Sequence, residues 1–139
     1  MDQVEIELSN SLDEIPGLAE TVEAFGEEHD LPAKLVFQLN LALEELVTNV
    51  ICHGFNDDGP HAIRVRLILA DDMITAEVED DGRPFDPFAD AAPPDLEQDL
   101  DERPVGGLGV HLVRSFMDEV SYRREGDRNR VRLSTRATR

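Results

Sequence analysis

The sequence predicts an α+β fold: a two-layer α/β sandwich with helices on one face of a mixed, mostly antiparallel sheet. Two long segments before residue 55 carry apolar residues at helical spacing, and shorter segments around them alternate with the period of strands. Their order along the chain is β-α-α-β-β-loop-α-β-β. A chain of 139 residues with 40% hydrophobic content most simply forms one domain, residues 1–139.

The first strand and the first helix are predicted at the N-terminus. Apolar and polar residues alternate over Val4–Leu8, which indicates a strand. The apolar stripe that follows predicts a helix over 13–29. Pro16 is tolerated in its first turn, and Ser11 or Asp13 can cap it.

A second, longer helix is expected between Asp30, as its capping residue, and His53, with Gly54 just beyond its end. Cys52, the only cysteine, is expected in the core as a small residue, and it cannot form an internal disulfide. The apolar positions of this helix include Leu35, Leu39, Leu43, Leu46, Val47 and Val50.

The second half predicts four strands and one more helix. A hairpin forms about Asp71-Asp72, a helix covers 107–120 with Val113 and Met117 inward, and two strands joined through Gly126-Asp127 close the fold. The expected strands are Ile63–Leu69, Ile74–Glu79, Val120–Arg124 and Arg130–Ser134.

The segment 83–105 differs from the rest of the chain, because it is rich in proline and in acidic residues. We expect a long loop with one short helical turn. A loop of this length inside a compact domain is usually functional, so a lid over a binding site is predicted.

The net charge of −18 argues against nucleic-acid or anionic-membrane binding, since both need a basic surface. No apolar run is as long as a membrane span, and the N-terminus lacks a signal-peptide pattern, so a cytoplasmic protein is expected. Residues 123–139 are the exception, with a net charge of +5. We favour arginines on the solvent face of closing strands; contact with an acidic surface is the alternative.

Glu45 and Asn49 lie four residues apart on the second helix and therefore share one face, with His53 a turn further on. An amide oxygen at Asn49 suits Mg²⁺, and a carboxylate at Glu45 can accept a proton from a hydroxyl group. A solvated polar edge explains these two residues equally well. His53 is expected to have a structural role at the helix end.

Two further segments complete a possible nucleotide site. Asp80 ends a strand, where it can accept a hydrogen bond from an exocyclic amine, and Gly82 lets the backbone approach a flat base. The Gly106-Gly107-Leu108-Gly109 loop precedes a helix, whose free N–H groups suit phosphates. Each segment alone is weak evidence, and no Gly-Lys-Ser/Thr is present, so this is not a P-loop.

Together and in this order, the segments resemble the GHKL superfamily of ATPases and kinases, and within it the anti-sigma-factor serine/threonine kinases. The likeness rests on segment 43–54 (LEELVTNVICHG), on 80–82 (DDG), on 107–109 (GLG) and on 116–120 (FMDEV). It extends over nearly the whole chain. It implies the Bergerat-type, histidine-kinase-like ATP-binding fold.

The resemblance also implies roles for single residues. Glu45 matches the general base, Asn49 the Mg²⁺ ligand, and Asp80, beside Gly82, the acid that recognises adenine. The phosphate-binding loop corresponds to Gly107, Leu108 and Gly109. The family binds ATP and Mg²⁺, usually as a homodimer. It sequesters a sigma factor and phosphorylates an antagonist protein that otherwise releases the sigma factor.

Two departures from the family pattern concern the lid. Pro84 stands where the family usually has the second glycine after the aspartate, which stiffens the lid entrance. Arg103 is the nearest arginine before the glycine loop, and a γ-phosphate contact and a plain surface position are equally consistent with it. A non-catalytic nucleotide-binding switch is therefore the alternative function. A detached histidine-kinase catalytic domain ranks last, since no phospho-accepting histidine helix precedes the motifs.

Overall fold

The computed structural model describes residues 2–55, 59–90 and 113–137, without the side chains of 89 and 90. The chain runs through β1 (Asp2–Ser9), α1 (Ile15–Glu28), α2 (Ala33–His53), β2 (Ala62–Ala70), β3 (Met73–Asp80), α3 (Pro87–Asp90), β4 (Glu119–Glu125) and β5 (Arg128–Arg136). A 3-10 turn, Leu12–Glu14, leads into α1, and the Ser11 hydroxyl caps it by accepting from the Asp13 N–H at 3.2 Å.

The sheet has five strands in the order β1-β2-β3-β5-β4, and all four pairings are antiparallel. The α+β sandwich predicted from the sequence is confirmed. The sequence analysis expected a mixed sheet, but no two of the described strands pair in parallel. β4 does run parallel to β3, but β5 returns between them and separates the two.

The core lies between the helices and one face of the sheet. Cross-strand register brings apolar residues into rows on this face, one of which joins Ile6, Val65, Val78, Val131 and Tyr122 across the five strands. The helix residues buried against the sheet include Leu18, Val22, Phe25, Leu35, Leu39, Leu43, Leu46 and Val47. They include most of the stripe predicted for the second helix.

By length and composition, α2 is apolar enough to cross a membrane, and it is the one such helix among the described residues. Seven of its residues are buried inside the domain. This burial is typical of the core helix of a globular protein, which passes the same composition test.

The opposite face of the sheet is charged and carries no second layer of described elements. Glu79 pairs with Arg128 at 3.3 Å and with Arg130 at 3.2 Å, and Glu77 pairs with Arg132 at 3.6 Å. Arg128, Arg130 and Arg132 thus lie on the solvent face of β5, as the favoured interpretation of the basic segment predicts. Arg124 is an exception, because it lies on the inner face and its Nη1 donates to the Gly82 carbonyl at 2.7 Å. Arg139 lies outside the described residues.

Three sequence-based details are wrong. Asp30 does not cap α2; it adopts a left-handed conformation, φ 55°, just after α1. The N-cap residue of α2 is Pro32, which provides no side-chain cap. The helix expected to reach residue 120 ends at Phe116, because the Asp118 N–H bonds to the Ser134 carbonyl. Cys52 is exposed, in the last turn of α2.

Candidate functional site

Glu45 and Asn49 lie on one face of α2 and contact each other. The Asn49 side chain donates a hydrogen bond to the Glu45 carboxylate, and Asn49 is buried, with 9% exposed. Burial raises the pKa of Glu45, more than the hydrogen bond from Asn49 lowers it, and the nearby charge of Glu44 raises it further. One carboxylate oxygen, Oε1, is buried with no hydrogen-bond partner among the described residues. It is a proton acceptor without a donor.

Asp80 is the last residue of β3, and its side chain turns inward at 3% exposure. Its Oδ1 accepts from the Gly82 N–H at 2.8 Å and from Asn129 Nδ2 at 3.0 Å. Burial raises the pKa of Asp80, although both hydrogen bonds and the charge of Arg124 lower it. Because both bonds reach Oδ1, Oδ2 remains available to a donor within the site.

Gly82 holds the end of α2 against the end of β3. The Arg83 N–H donates to the Gly54 carbonyl at 2.8 Å, and Arg83 Nε donates to the His53 carbonyl at 2.8 Å. A Cβ at residue 82 would lie 2.3 Å from the Gly54 oxygen. Only glycine permits this approach. His53 contributes its backbone here, in agreement with the structural role expected of it.

Asn129, which the sequence did not single out, is the centre of the hydrogen-bond network around Asp80. It is 3% exposed; its Nδ2 donates to Asp80 and to the Arg83 carbonyl, and its Oδ1 accepts from the Tyr122 hydroxyl and from Arg124 Nη1. The available signal was a polar residue in phase with the inward positions 131 and 133. It was missed because the strand was expected to begin at 130.

Asn49 and Asp80 line one pocket beneath the start of the predicted lid. Apolar side chains form its walls, and it encloses about 20 Å³, which is room for one water molecule. Phe85 and Pro87 form part of the lining. The full set of lining residues is Leu46, Asn49, Val50, Gly54, Val78, Asp80, Phe85, Pro87, Asn129 and Val131.

These residues fit an adenine base in character. A flat aromatic base suits aliphatic walls, and Oδ2 of Asp80 suits its amine. The volume does not fit it with Phe85 and Pro87 in their present positions. Phe85 and Pro87 occupy part of the space that a base would need.

Four predicted site residues, Arg103, Gly107, Leu108 and Gly109, lie outside the described residues. The helix expected after the glycine loop is described only over 113–116. Val113, in this helix, and Met117, just after it, pack into the core. The structure therefore brings together Glu45, Asn49, Asp80 and Gly82.

Comparison with known proteins identifies the family. Residues 8–135 match the histidine kinase-like ATPase domain, and the chain belongs to this family. An ATPase domain implies that ATP is the nucleotide.

The relatives include two protein kinases and one anti-sigma factor. Serine/threonine-protein kinase BtrW of Bordetella bronchiseptica is 33% identical over 103 residues, covering 74% of this chain and 72% of that protein. Anti-sigma F factor of Geobacillus stearothermophilus is 30% identical, covering 72% and 68%. Serine-protein kinase RsbW of Listeria monocytogenes is 32% identical, covering 63% of this chain and 59% of that protein. They confirm the resemblance to anti-sigma-factor serine/threonine kinases and, at the level of class, the predicted function.

A solved structure of the RsbU and RsbW domains of a Mycobacterium tuberculosis protein has the same fold. Its TM-score is 0.71 at 17% identity, covering all of this chain and 33% of the other. At this identity the likeness supports the fold alone.

Proposed function

We propose that this protein transfers the γ-phosphoryl group of ATP to a serine or threonine of an antagonist protein, and that it also sequesters a sigma factor. The observation that carries the proposal is one pocket lined by both Asn49 of α2 and Asp80 of β3, 31 positions apart in sequence, with Glu45 in contact with Asn49. The assignments of these three residues and of the lid at 83–105 are part of the proposal.

The chemistry follows from the position of each group. Oδ2 of Asp80 would accept from the adenine amine, while the aliphatic walls hold the base. With its amide nitrogen bonded to Glu45, Asn49 would present its oxygen to Mg²⁺, which neutralises phosphate charge when bound. Backbone amides of Gly107, Leu108 and Gly109 would hold the phosphates, with Arg103 near the γ-phosphate.

Glu45 would act as the general base. Its carboxylate takes the proton of the substrate hydroxyl, whose oxygen forms the new bond to the γ-phosphorus as the bond to the ADP oxygen breaks. The unpartnered Oε1 supports this role, since a buried acceptor without a donor costs folding free energy unless a ligand satisfies it.

Partners and setting follow from the same class. The sigma factor and the antagonist are the proposed protein partners, the active form is a homodimer, and the location is the cytoplasm, where ATP is available. Size-exclusion chromatography with light scattering tests the dimer directly, and a monomer with full activity would contradict it.

Mass spectrometry of a purified antagonist, incubated with this chain, ATP and Mg²⁺, tests the phosphoryl transfer. We expect one added phosphate, stable to acid, on a serine or threonine. An acid-labile phosphate on a partner histidine would instead support a detached histidine-kinase domain.

A non-catalytic nucleotide switch is the second candidate, favoured by the small pocket and by Pro84 at the lid entrance. It predicts an antagonist whose mass stays unchanged after long incubation, although ATP still raises the melting temperature of this chain. The mass of the antagonist and the melting temperature of this chain can both be measured with the same protein preparation.

A further inference from the structure

We infer that the groove between the last turns of α1 and the first turns of α2 is a docking site for a helical segment of a partner protein, with two basic residues one turn apart and an apolar residue between them. The groove encloses about 550 Å³. It is lined by Glu23, Gly26, Glu27, Asp30, Leu31, Ala33 and Val36.

The groove is a built feature of the helix pair. A Cβ at residue 26 would lie 2.5 Å from the Val36 side chain, so Gly26 allows the helices to approach closely at the groove floor. Leu31 and Val36 are packed against the core and only partly buried. The floor is therefore apolar and firmly supported.

Its rim is acidic and unpaired. Glu23 and Glu27 lie four residues apart on α1, so their carboxylates share a face, and Asp30 follows at the left-handed turn. No ion pair or side-chain hydrogen bond joins these three to another residue of the described part. This is unlike the outer face of the sheet, where Glu77 and Glu79 are paired with arginines.

The charge distribution selects a basic occupant. Residues 10–61, which contain both helices, have eleven acidic residues against one basic residue, Lys34. Residues 62–82 and 113–139 together are neutral. The helical layer thus carries much of the net negative charge, and a basic partner segment would be attracted to it.

An exposed aromatic side chain adds an apolar contact. Phe37, next to Val36 on α2, is 65% exposed and is the most exposed large hydrophobic residue of the described chain. Acidic residues beside an apolar strip match an amphipathic basic helix, which places one apolar anchor in a groove. The groove lies about 20 Å from Asn49 along α2, so it is separate from the nucleotide site.

The test uses a labelled, alanine-based helical peptide with arginines four residues apart and a leucine three residues after the first arginine. We expect binding by fluorescence anisotropy. It should weaken about fivefold to tenfold in Glu23→Gln/Glu27→Gln, because two exposed ion pairs are lost. The matched control, Asp71→Asn/Asp127→Asn, removes the same charge from exposed positions in the two hairpin turns of the sheet, outside the helical layer, and should bind as wild type does.

Two further variants test the apolar contact. Phe37→Ser in the protein and Leu→Asn in the peptide should each weaken binding. Equal loss in both charge variants, no effect of the leucine, or no binding at all would overturn the inference. Conversion of a dimer to a monomer by Phe37→Ser would overturn it too, because the occupant would then be a second copy.

The ATP-induced rise in melting temperature should be the same in wild type and in Glu23→Gln/Glu27→Gln. This readout separates the docking site from the proposed kinase site, so either can fail alone.

Discussion

At the scale of single residues, the two carboxylate oxygens of Asp80 have different surroundings. Its Oδ1 holds the turn through Gly82 and the last strand through Asn129, while Oδ2 has no such partner. An asparagine at this position can keep the Oδ1 contacts and would present a donor in place of Oδ2.

We therefore expect Asp80→Asn to fold with an unchanged or higher melting temperature and to lose the response to ATP. Because the pKa of Asp80 is raised, the folded state binds the proton of this carboxyl group more tightly than the unfolded state does. Ionisation of Asp80 near neutral pH therefore lowers the free energy of unfolding, and a neutral asparagine avoids this cost. Wild type with ATP at about a hundred times its dissociation constant should gain roughly 2.7 kcal/mol.

Thermal unfolding with ATP and Mg²⁺ measures both effects. Asp81→Asn is the matched control, since it removes an adjacent exposed charge and should keep the response. A normal ATP response in Asp80→Asn would exclude Asp80 as the adenine-binding acid.

Glu45→Gln should slow phosphoryl transfer about 10²- to 10⁴-fold and leave ATP binding intact, because a neutral amide cannot accept the hydroxyl proton. The base works only when ionised, and burial raises its pKa. Wild-type activity should therefore fall with decreasing pH at values above the ordinary glutamate pKa of about 4.3.

The measurement is a pH profile of initial rates with saturating ATP. Glu44→Gln removes the neighbouring exposed charge and should retain near-normal rates at neutral pH. A wild-type rate in Glu45→Gln would assign the base elsewhere.

At the scale of elements, the end of α2 and the end of β3 form the site because their backbones touch. The Gly54 carbonyl accepts from the Arg83 N–H, and residue 82 has no space for a side chain. The position of Asn49 relative to Asp80 depends on this contact.

Gly82→Ala should thus cost about 1–3 kcal/mol of stability and weaken ATP binding, because a Cβ would overlap a backbone oxygen that cannot rotate away. Gly17→Ala is the contrasting variant: no atom lies near its Cβ, and alanine in α1 should stabilise by about 0.5–1 kcal/mol. Urea unfolding compares the two; equal stability in both would contradict the close approach.

At the scale of the whole molecule, the sheet and the helical layer differ in how their charged side chains are paired. The sheet pairs Glu77 and Glu79 with arginines across strands, whereas Glu23, Glu27 and Asp30 of the helical layer have no ion pair within the described part of the chain. The net charge of −18 is therefore unevenly distributed, and it gives the domain one face suited to basic partners.

Glu79→Gln should lower stability by about 1 kcal/mol at low ionic strength, with a smaller loss in high salt, because Glu79 is paired with two arginines on a partly exposed surface. Glu7→Gln, an exposed change on the same face, should have little effect. Thermal unfolding at two salt concentrations measures the difference, and a salt-independent loss would argue against ion pairing as the cause.

Local sequence signals were enough to predict the elements and to single out Glu45, Asn49 and Asp80 as candidate site residues. Helical and strand periodicity identified both long helices and every strand, since burial of one face imposes a fixed spacing on apolar residues. Glu45 and Asn49 were found because their separation is one helical turn. The error at the end of the last helix arose where a tertiary hydrogen bond, from the Asp118 N–H to the Ser134 carbonyl, competes with helix propensity. The error at Asp30 is local, because a left-handed residue there ends α1, and the Leu31 N–H bonds back to the Gly26 carbonyl.

The sequence by itself determined the class of fold, the charge imbalance and the choice of candidate site residues, because these depend on composition and on contacts close along the chain. Only the tertiary structure decided that β5 lies between β3 and β4, that Asn129 therefore faces Asp80, and that Phe85 and Pro87 line the pocket. Strand order and the position of these two residues arise from long-range packing, which spacing along a sequence does not encode. The same packing creates the acidic groove, whose walls come from two helices meeting at Gly26.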